Sequence, residues 1–207
     1  MSRTTKVALV LAALVSFIAL YDAVTHGLTG HWSEFSTEPG DRVAWVAHLG
    51  SVIHGAGYRS FVAVLWKYRG SIDAGRRSRS VLRTIMVAAY AAIVPVGVAS
   101  TIVGTDGAAG ALGTALFLPM LLVPPALGIT MLVQGDRRPG AWLMAGSIPA
   151  VGAVALLAWL APDWAHPGYV ETVVNFGIAL LGVGAVSSAV ADREAFIVVS
   201  SPSPIAG

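Results

Sequence analysis

Several stretches of the chain are long enough to cross a lipid bilayer and contain no charged residue. Two of them run from Thr84 to Val103 and from Ala111 to Val133. A helix needs roughly 20 apolar residues to cross a hydrocarbon core about 30 Å thick. The whole chain shares this character, since 56% of its 207 residues are hydrophobic, 12% are charged and the mean hydropathy is +0.74. The sequence therefore predicts a multi-pass membrane protein.

Hydropathy and turn signals together predict six membrane-spanning helices. By the span-length rule we place them at about 5–26, 42–67, 81–103, 111–134, 141–161 and 170–191. The predicted fold is an all-α, polytopic transmembrane bundle of six helices that forms a single domain, residues 1–191. The remaining residues, 192–207, are predicted to be a cytoplasmic C-terminal tail.

The first predicted span also has features of a secretory signal peptide, because Arg3 and Lys6 accompany an apolar run. No clear small-residue cleavage site follows this run. Residues 22–26 continue the helical pattern up to Gly27, a residue type that can end a helix. We therefore expect an uncleaved span.

The positively charged residues predict how the bundle is oriented. Short loops rich in arginine and lysine are retained on the cytoplasmic side, so both termini are expected to be cytoplasmic. Arg42 and Arg59 are the exceptions to this distribution. The residues that fall on the cytoplasmic side are Arg3, Lys6, Lys67, Arg69, Arg76, Arg77, Arg79, Arg83, Arg137, Arg138 and Arg193.

The basic residues and the overall composition also indicate the partners and the location of the protein. Retention of basic loops already explains the arginine-rich segment between Tyr68 and Ser80, so membrane lipids are the expected partners and nucleic acid is not. The bias toward alanine, glycine, valine and arginine suggests the plasma (inner) membrane of a bacterium.

The second predicted span carries a polar stripe, which we define as His48, Ser51, His54, Gly55, Tyr58 and Arg59. At 100° per residue these positions share an arc of roughly 140°, while residues such as Val52 and Val64 occupy the remainder. Ionisable groups at membrane depth are costly and usually face a cavity or a partner. We therefore expect the stripe to face the interior and the other side to face lipid.

Neighbouring spans add groups that are expected to meet this stripe. Asp22, His26 and His48 are predicted to lie near the outer boundary, and Glu171 and Asn175 share a helix face at a similar level. The sequence thus predicts an outward-facing pocket for a small-molecule ligand or a proton. Its predicted residues are Asp22, His26, His48, Ser51, His54, Tyr58, Glu171 and Asn175. The alternative is a buried hydrogen-bond network that fixes helix register.

Several chemistries are not expected from this sequence. The chain has no cysteine, and no lysine lies inside a predicted span to carry a Schiff base. His48 and His54 lie about 120° apart on one helix, which makes joint binding of a metal ion awkward. The spacing of the outer-loop residues His31, Glu34, Glu38 and His166 matches no metal signature, and no nucleotide-binding or common hydrolase motif occurs. We therefore predict no metal and no cofactor.

Three functions remain compatible with this pattern. The favoured hypothesis is a small-molecule or proton-linked carrier or binding protein that uses the outward-facing polar pocket. The second is an intramembrane enzyme that acts on a lipid or isoprenoid-like substrate, with Asp22 or Glu171 as the acid and a histidine as the base. The third is an accessory subunit whose polar stripe packs against a partner protein during membrane assembly.

Overall fold

The computed structural model describes residues 1–35, 44–103 and 108–183, without the side chains of 44, 47 and 100–110. Every regular element in these ranges is helical. The helices are α1 (Arg3–Thr29), α2 (Ala44–Lys67), α3 (Arg69–Asp73), α4 (Arg77–Val103), α5 (Ala108–Val133), α6 (Pro139–Leu160) and α7 (168–183), with a 3₁₀ turn at Pro162–Trp164. The end of the sixth predicted span, 184–191, and the predicted tail, 192–207, lie outside the described residues.

Four of the helices in the described ranges are long and apolar enough to cross a membrane. They are Arg3–Thr29, Arg77–Ala99, Ala111–Val133 and Pro139–Leu160. The helix α2 has a comparable length of 24 residues, but its polar residues lower its hydropathy. The all-α prediction and the membrane character of the chain are therefore supported, and within the described residues each predicted span overlaps a helix. The short helix α3 lies in the arginine-rich segment, where no helix was predicted.

The end of α1 differs from the sequence prediction. Gly27 does not end the helix, because α1 continues to Thr29 and the left-handed residue Gly30, with φ of 71°, caps it. The Gly30 backbone N–H donates to the carbonyl of His26 at 2.8 Å. Gly27 instead remains helical and lies directly under the ring of Trp164. The absence of a side chain at Gly27 leaves room for that ring.

The helix α7 packs closely against several others. Gly177 of α7 and Gly140 of α6 face each other, and a Cβ atom built at Gly140 would lie 2.5 Å from the carbonyl oxygen of Gly177. Gly168 and Gly182 of α7 meet α1 in the same way, near Ala19 and Thr5. Glycine at these positions lets backbones approach closely, which is how membrane helices gain packing energy. The remaining helices pack as the neighbouring pairs α1–α2, α2–α4, α4–α5 and α5–α6.

The arginine-rich end of the bundle contains buried ion pairs. Arg79 is 3% exposed and contacts Asp136 at 3.1 Å, and Asp136 also binds Arg138. Arg83 binds Asp73 of α3 through two hydrogen bonds of 2.7 and 2.9 Å. These contacts join α3 and α4 to the turn between α5 and α6. The arginines that predict orientation therefore also hold the helix ends together.

Opposing effects act on the Asp136 carboxyl. Its burial would raise the pKa, but the hydrogen bonds and charge of Arg138, together with the charge of Arg79, hold the pKa below its ordinary value of 3.8. A lowered pKa in the folded protein means that the ionised carboxylate stabilises the fold. That stabilisation is fully present above pH 3.8 and is lost as the pH falls through the pKa of the folded state.

We predict that Gly140→Ala destabilises the protein by about 1–3 kcal/mol, because the new methyl group meets the backbone of α7. The matched control is Gly146→Ala in the same helix, where no atom lies within 4 Å of the added Cβ. Gly146→Ala is expected to stabilise the helix by about 0.5–1 kcal/mol. Thermal unfolding in a mild detergent measures both effects. Equal melting temperatures for the two variants would contradict this packing.

We predict that Asp136→Asn lowers the free energy of unfolding by about 3 kcal/mol, because Arg79 and Arg138 lose a shared anionic partner. The wild-type protein should lose stability as the pH falls below 3.8, and the variant should lose less over the same range. Melting temperatures measured against pH test this, with Asp163→Asn, an exposed position in the turn after α6, as the control. Parallel pH profiles for Asp136→Asn and the wild type would count against it.

Candidate functional site

The buried face of α2 differs from the predicted one. His48 and Arg59, at the two ends of the polar stripe, are exposed rather than turned inward. Phe61 and Val64 are fully buried, although Val64 was expected on the lipid side. At 100° per residue, the centre of the buried face lies roughly 120° from the centre of the stripe. The expectation that the whole stripe faces the interior is therefore wrong.

Close packing of α2 against α1 accounts for this rotation. A Cβ atom built at Gly57 would lie 2.9 Å from Val15 Cγ2, so the bare backbone at Gly57 lets α1 approach. The apolar side chains that flank Gly57 on this face then fill the core. Apolar packing and helix contact have determined the rotation of α2, and the polar residues lie at the edge of that contact.

The middle of the polar stripe lies at the edge of the contact between α1 and α2. Ser51 and His54 are half-buried, and His54 Nδ1 lies 2.9 Å from the carbonyl oxygen of Gly50, in the preceding turn. The imidazole ring of His54 meets the Tyr58 ring edge-on, with 6.1 Å between centroids. His54 thereby contacts Tyr58, the side chain through which α2 contacts α7.

Tyr58, Glu171 and Asn175 form a polar cluster between α2 and α7. The Tyr58 hydroxyl donates to Glu171 Oε1 at 2.9 Å, and Asn175 Nδ2 lies 3.5 Å from the same oxygen. Asn175 is fully buried, and its Oδ1 atom has no hydrogen-bond partner among the described residues. No arginine, lysine or histidine in the described ranges forms an ion pair with Glu171. The carboxylate is therefore held by neutral groups, beside an unused acceptor.

The structure places Glu171 deeper than the sequence estimate. Glu171 contacts Tyr58, and the Tyr58 ring meets Tyr90 edge-on with 5.6 Å between centroids. Tyr90 lies at the midpoint of α4 and is 2% exposed. Glu171 therefore lies near the middle of the long helices, not at their outer ends. The cause is that the segment after α6 runs inward along α1, since Asp163 contacts His26, His166 contacts Asp22 and Gly168 lies beside Ala19.

A small cleft opens beside the Glu171 carboxylate. The volume of the cleft is about 30 Å³, which is enough for roughly one or two water molecules. Its walls are mostly apolar and come from α2, α4, α5 and α7. The lining residues are Tyr58, Tyr90, Phe117, Met120, Leu121, Pro167, Val170, Glu171 and Val174. Glu171 thus lines a narrow cleft that has aromatic and aliphatic walls.

Asp22 belongs to a separate cluster at the end of α1. Its carboxylate accepts from the Ser33 backbone N–H at 2.8 Å and lies 3.3 Å from His166 Nε2. The other ring nitrogen of His166 accepts from the backbone N–H of Gly168 at 3.0 Å, so Nε2 carries the proton that faces Asp22. Asp22 therefore fixes the start of α7 and the segment after α1.

His26 and Trp32 complete this end of the molecule. His26 Nδ1 lies 2.7 Å from the carbonyl oxygen of Asp163, and the His26 ring stacks on Trp32 with 4.2 Å between centroids. Trp32 also lies 5.5 Å from the His166 ring. We call Asp22, His26, Trp32 and His166 the outer cluster. Its polar groups bond to one another and to the backbone.

The predicted pocket residues therefore fall in three places. Tyr58, Glu171 and Asn175 meet near the middle, with His54 beside Tyr58 and Ser51 half-buried on α2. Asp22 and His26 lie in the outer cluster. His48 is exposed and forms part of neither group. Among the described residues, no three His, Asp or Glu side chains are arranged to hold a metal ion.

Sequence reasoning missed two residues that shape these groups. His166 was considered only as a loop ligand, and Tyr90 lies in an apolar run that gave no sign of a site. A tyrosine in the centre of an otherwise apolar span is the signal that could have identified Tyr90, because its hydroxyl needs a partner or water. No local pattern links His166 to Asp22.

Comparisons with protein-family models, with curated proteins and with solved structures found no match.

We predict that Asp22→Asn destabilises the outer cluster by about 1–3 kcal/mol, because an amide cannot accept from both Ser33 and His166 as the carboxylate does. Tryptophan fluorescence during thermal unfolding is a suitable measurement, since Trp32 and Trp164 lie at this end. The control is Glu34→Gln, an exposed carboxyl nearby. An unchanged melting temperature for Asp22→Asn would contradict the structural role.

Proposed function

We propose that the chain is a six-span protein that binds and moves protons or a small molecule at Glu171. The proposed spans are α1, α2, α4, α5, α6 and α7, with both termini in the cytoplasm. The position of α2 between α1 and α4 supports its assignment as a span, because both neighbours are apolar enough to cross a membrane. The composition of the chain supports a bacterial plasma membrane as its location.

The orientation is supported by where the charged side chains lie. Arg79, Arg83 and Arg138 gather at the end that contains the start of α4 and the end of α5. Lys67 lies at the same end and donates to Thr4 at 3.1 Å. Basic residues concentrated at one end of a helical bundle are typical of the cytoplasmic side. The outer cluster lies at the opposite end.

The observation that carries the proposed function is the Glu171 carboxyl and its neutral partners. Tyr58 and Asn175 hold Glu171 by hydrogen bonds near the middle of the bundle. An ionised carboxylate in an apolar environment is costly without a cation, so a proton or a cationic group is the partner that this site lacks. Carboxyl groups in such positions are typical of proton relays and ligand sites in transporters.

An intramembrane enzyme is the second candidate. The observation in its favour is that Glu171 lies at the wall of an apolar cleft that reaches the Phe117 ring, which is 43% exposed. A lipid chain could enter along such a wall, and His54 beside Tyr58 is the imidazole on this side. Conversion of a lipid by the purified protein, lost in Glu171→Gln, would favour the enzyme over the carrier.

We predict that proteoliposomes containing the protein pass protons when a potassium diffusion potential is imposed. Glu171→Gln should lower this flux about a hundredfold, which is at the low end of what a positioned proton-transfer group contributes. A pH-sensitive dye trapped inside the liposomes measures the flux, and Asp163→Asn serves as the control for loss of an exposed carboxyl. Tyr58→Phe, which removes only the hydroxyl that donates to Glu171, should give an intermediate flux.

Two outcomes would overturn the proposal. One is a proton flux in Glu171→Gln equal to that of the wild type. The other is a wild-type flux no greater than that of empty liposomes. The Tyr58→Phe variant keeps the test decisive if Glu171→Gln does not fold, because an unchanged flux in Tyr58→Phe would also count against the site.

A further inference from the structure

We infer that the cleft beside Glu171 receives the ammonium head of an amphiphilic amine, whose apolar tail lies along α5. This inference rests on the proposed function and adds the chemical class of the ligand. Four properties of the cleft carry it, namely its charge, its aromatic walls, its size and the surface at its mouth.

The charge of the cleft selects a cation. Glu171 contributes the carboxylate, and its contacts in the described ranges are the hydroxyl of Tyr58 and the amide of Asn175. An ammonium group would supply the positive charge that neither partner has.

The aromatic walls favour the same class of ligand. Tyr58, Tyr90 and Phe117 all line the cleft, so three aromatic residues contribute to its walls together with Glu171. The electron-rich face of an aromatic ring attracts ammonium groups, and the attraction grows when water is excluded. An anionic head group would be repelled by the carboxylate, and a neutral one would gain no charge attraction.

The size of the cleft limits the head group. Space for roughly one or two waters accommodates a primary ammonium group, which is similar in size to a water molecule. A bulky aromatic cation would need the helices to separate. The narrow cleft therefore favours a simple alkylammonium head over a large planar cation.

The mouth of the cleft explains why the ligand should carry an apolar tail. Phe117 and Leu121 line the cleft on α5, and Leu118 and Leu122 beside them are 55% and 63% exposed. This surface is continuous with the apolar side of a helix that can cross a membrane. An alkyl chain would lie along it with its head at Glu171.

Binding and proton movement are then linked by charge balance. When an ammonium ion enters, the O–H bond of a protonated Glu171 breaks and the proton passes to the solvent, so the net charge of the cleft does not change. Return of the proton releases the amine. The amine itself is neither oxidised nor covalently changed in this exchange.

Calorimetric titration of the protein in phosphatidylcholine nanodiscs with hexylammonium tests this inference. We expect saturable binding above the partitioning into empty nanodiscs, with proton release measured by comparing two buffers of different ionisation enthalpy. Hexanol and hexanoate, which have the same chain length without the positive charge, should show no saturable binding. Glu171→Gln should weaken hexylammonium binding at least about tenfold, and Asp163→Asn should not weaken it.

A second variant keeps the test decisive if Glu171→Gln does not fold. Phe117→Leu retains an apolar wall and removes one ring, and it should weaken hexylammonium about two- to fivefold. Saturable binding of hexanol with equal affinity, or unchanged hexylammonium affinity in Phe117→Leu, would overturn the inference. Proton flux that depends on Glu171 without hexylammonium binding would reject this ligand class while the proposed function stands. If neither hexylammonium binding nor a Glu171-dependent proton flux is observed, both the ligand class and the proposed function are rejected.

Discussion

The hydrogen bond from Tyr58 to Glu171 joins α2, which carries the polar stripe, to α7, which packs closely against α1 and α6. It brings a carboxyl group to the middle of a bundle whose other central contacts are apolar and aromatic. Inside hydrocarbon a polar group must find its partner within the protein, so one such contact strongly restricts how two helices align. The position of the cleft and the contact with Tyr90 both follow from this alignment.

The two ends of the molecule are held together by different chemistry. At one end, guanidinium groups bind the carboxylates of Asp73 and Asp136. At the other end, Asp22 is held by a backbone amide and by His166, and aromatic rings cover the contact. Long arginine side chains reach across loops, whereas the outer cluster depends on short, direct contacts. The central site lies between two ends that are each fixed independently.

The sequence predicted the helices well because long apolar runs and arginine-rich loops leave few alternatives for the chain. It also identified Tyr58, Glu171 and Asn175 as candidate residues, and these three are in contact. The rotation of α2 was not predictable from the polar stripe, since it depends on how closely Gly57 lets α1 approach. The pairing of Asp22 with His166 and the depth of Glu171 depend on the path of the chain after α6. Such paths are properties of the whole fold and have no local sequence signal.

The buried arginines at the basic end serve two purposes at once. Arg79 and Arg83 belong to the charge pattern that predicts the orientation of the bundle, and in the folded protein they join the helix ends through ion pairs. Mutagenesis that aims to invert the protein by removing these charges would therefore also loosen its structure. The same substitutions would then cause both an insertion defect and a folding defect. Arg76 and Arg77 are exposed, so removal of their charges would test the predicted orientation without breaking these ion pairs.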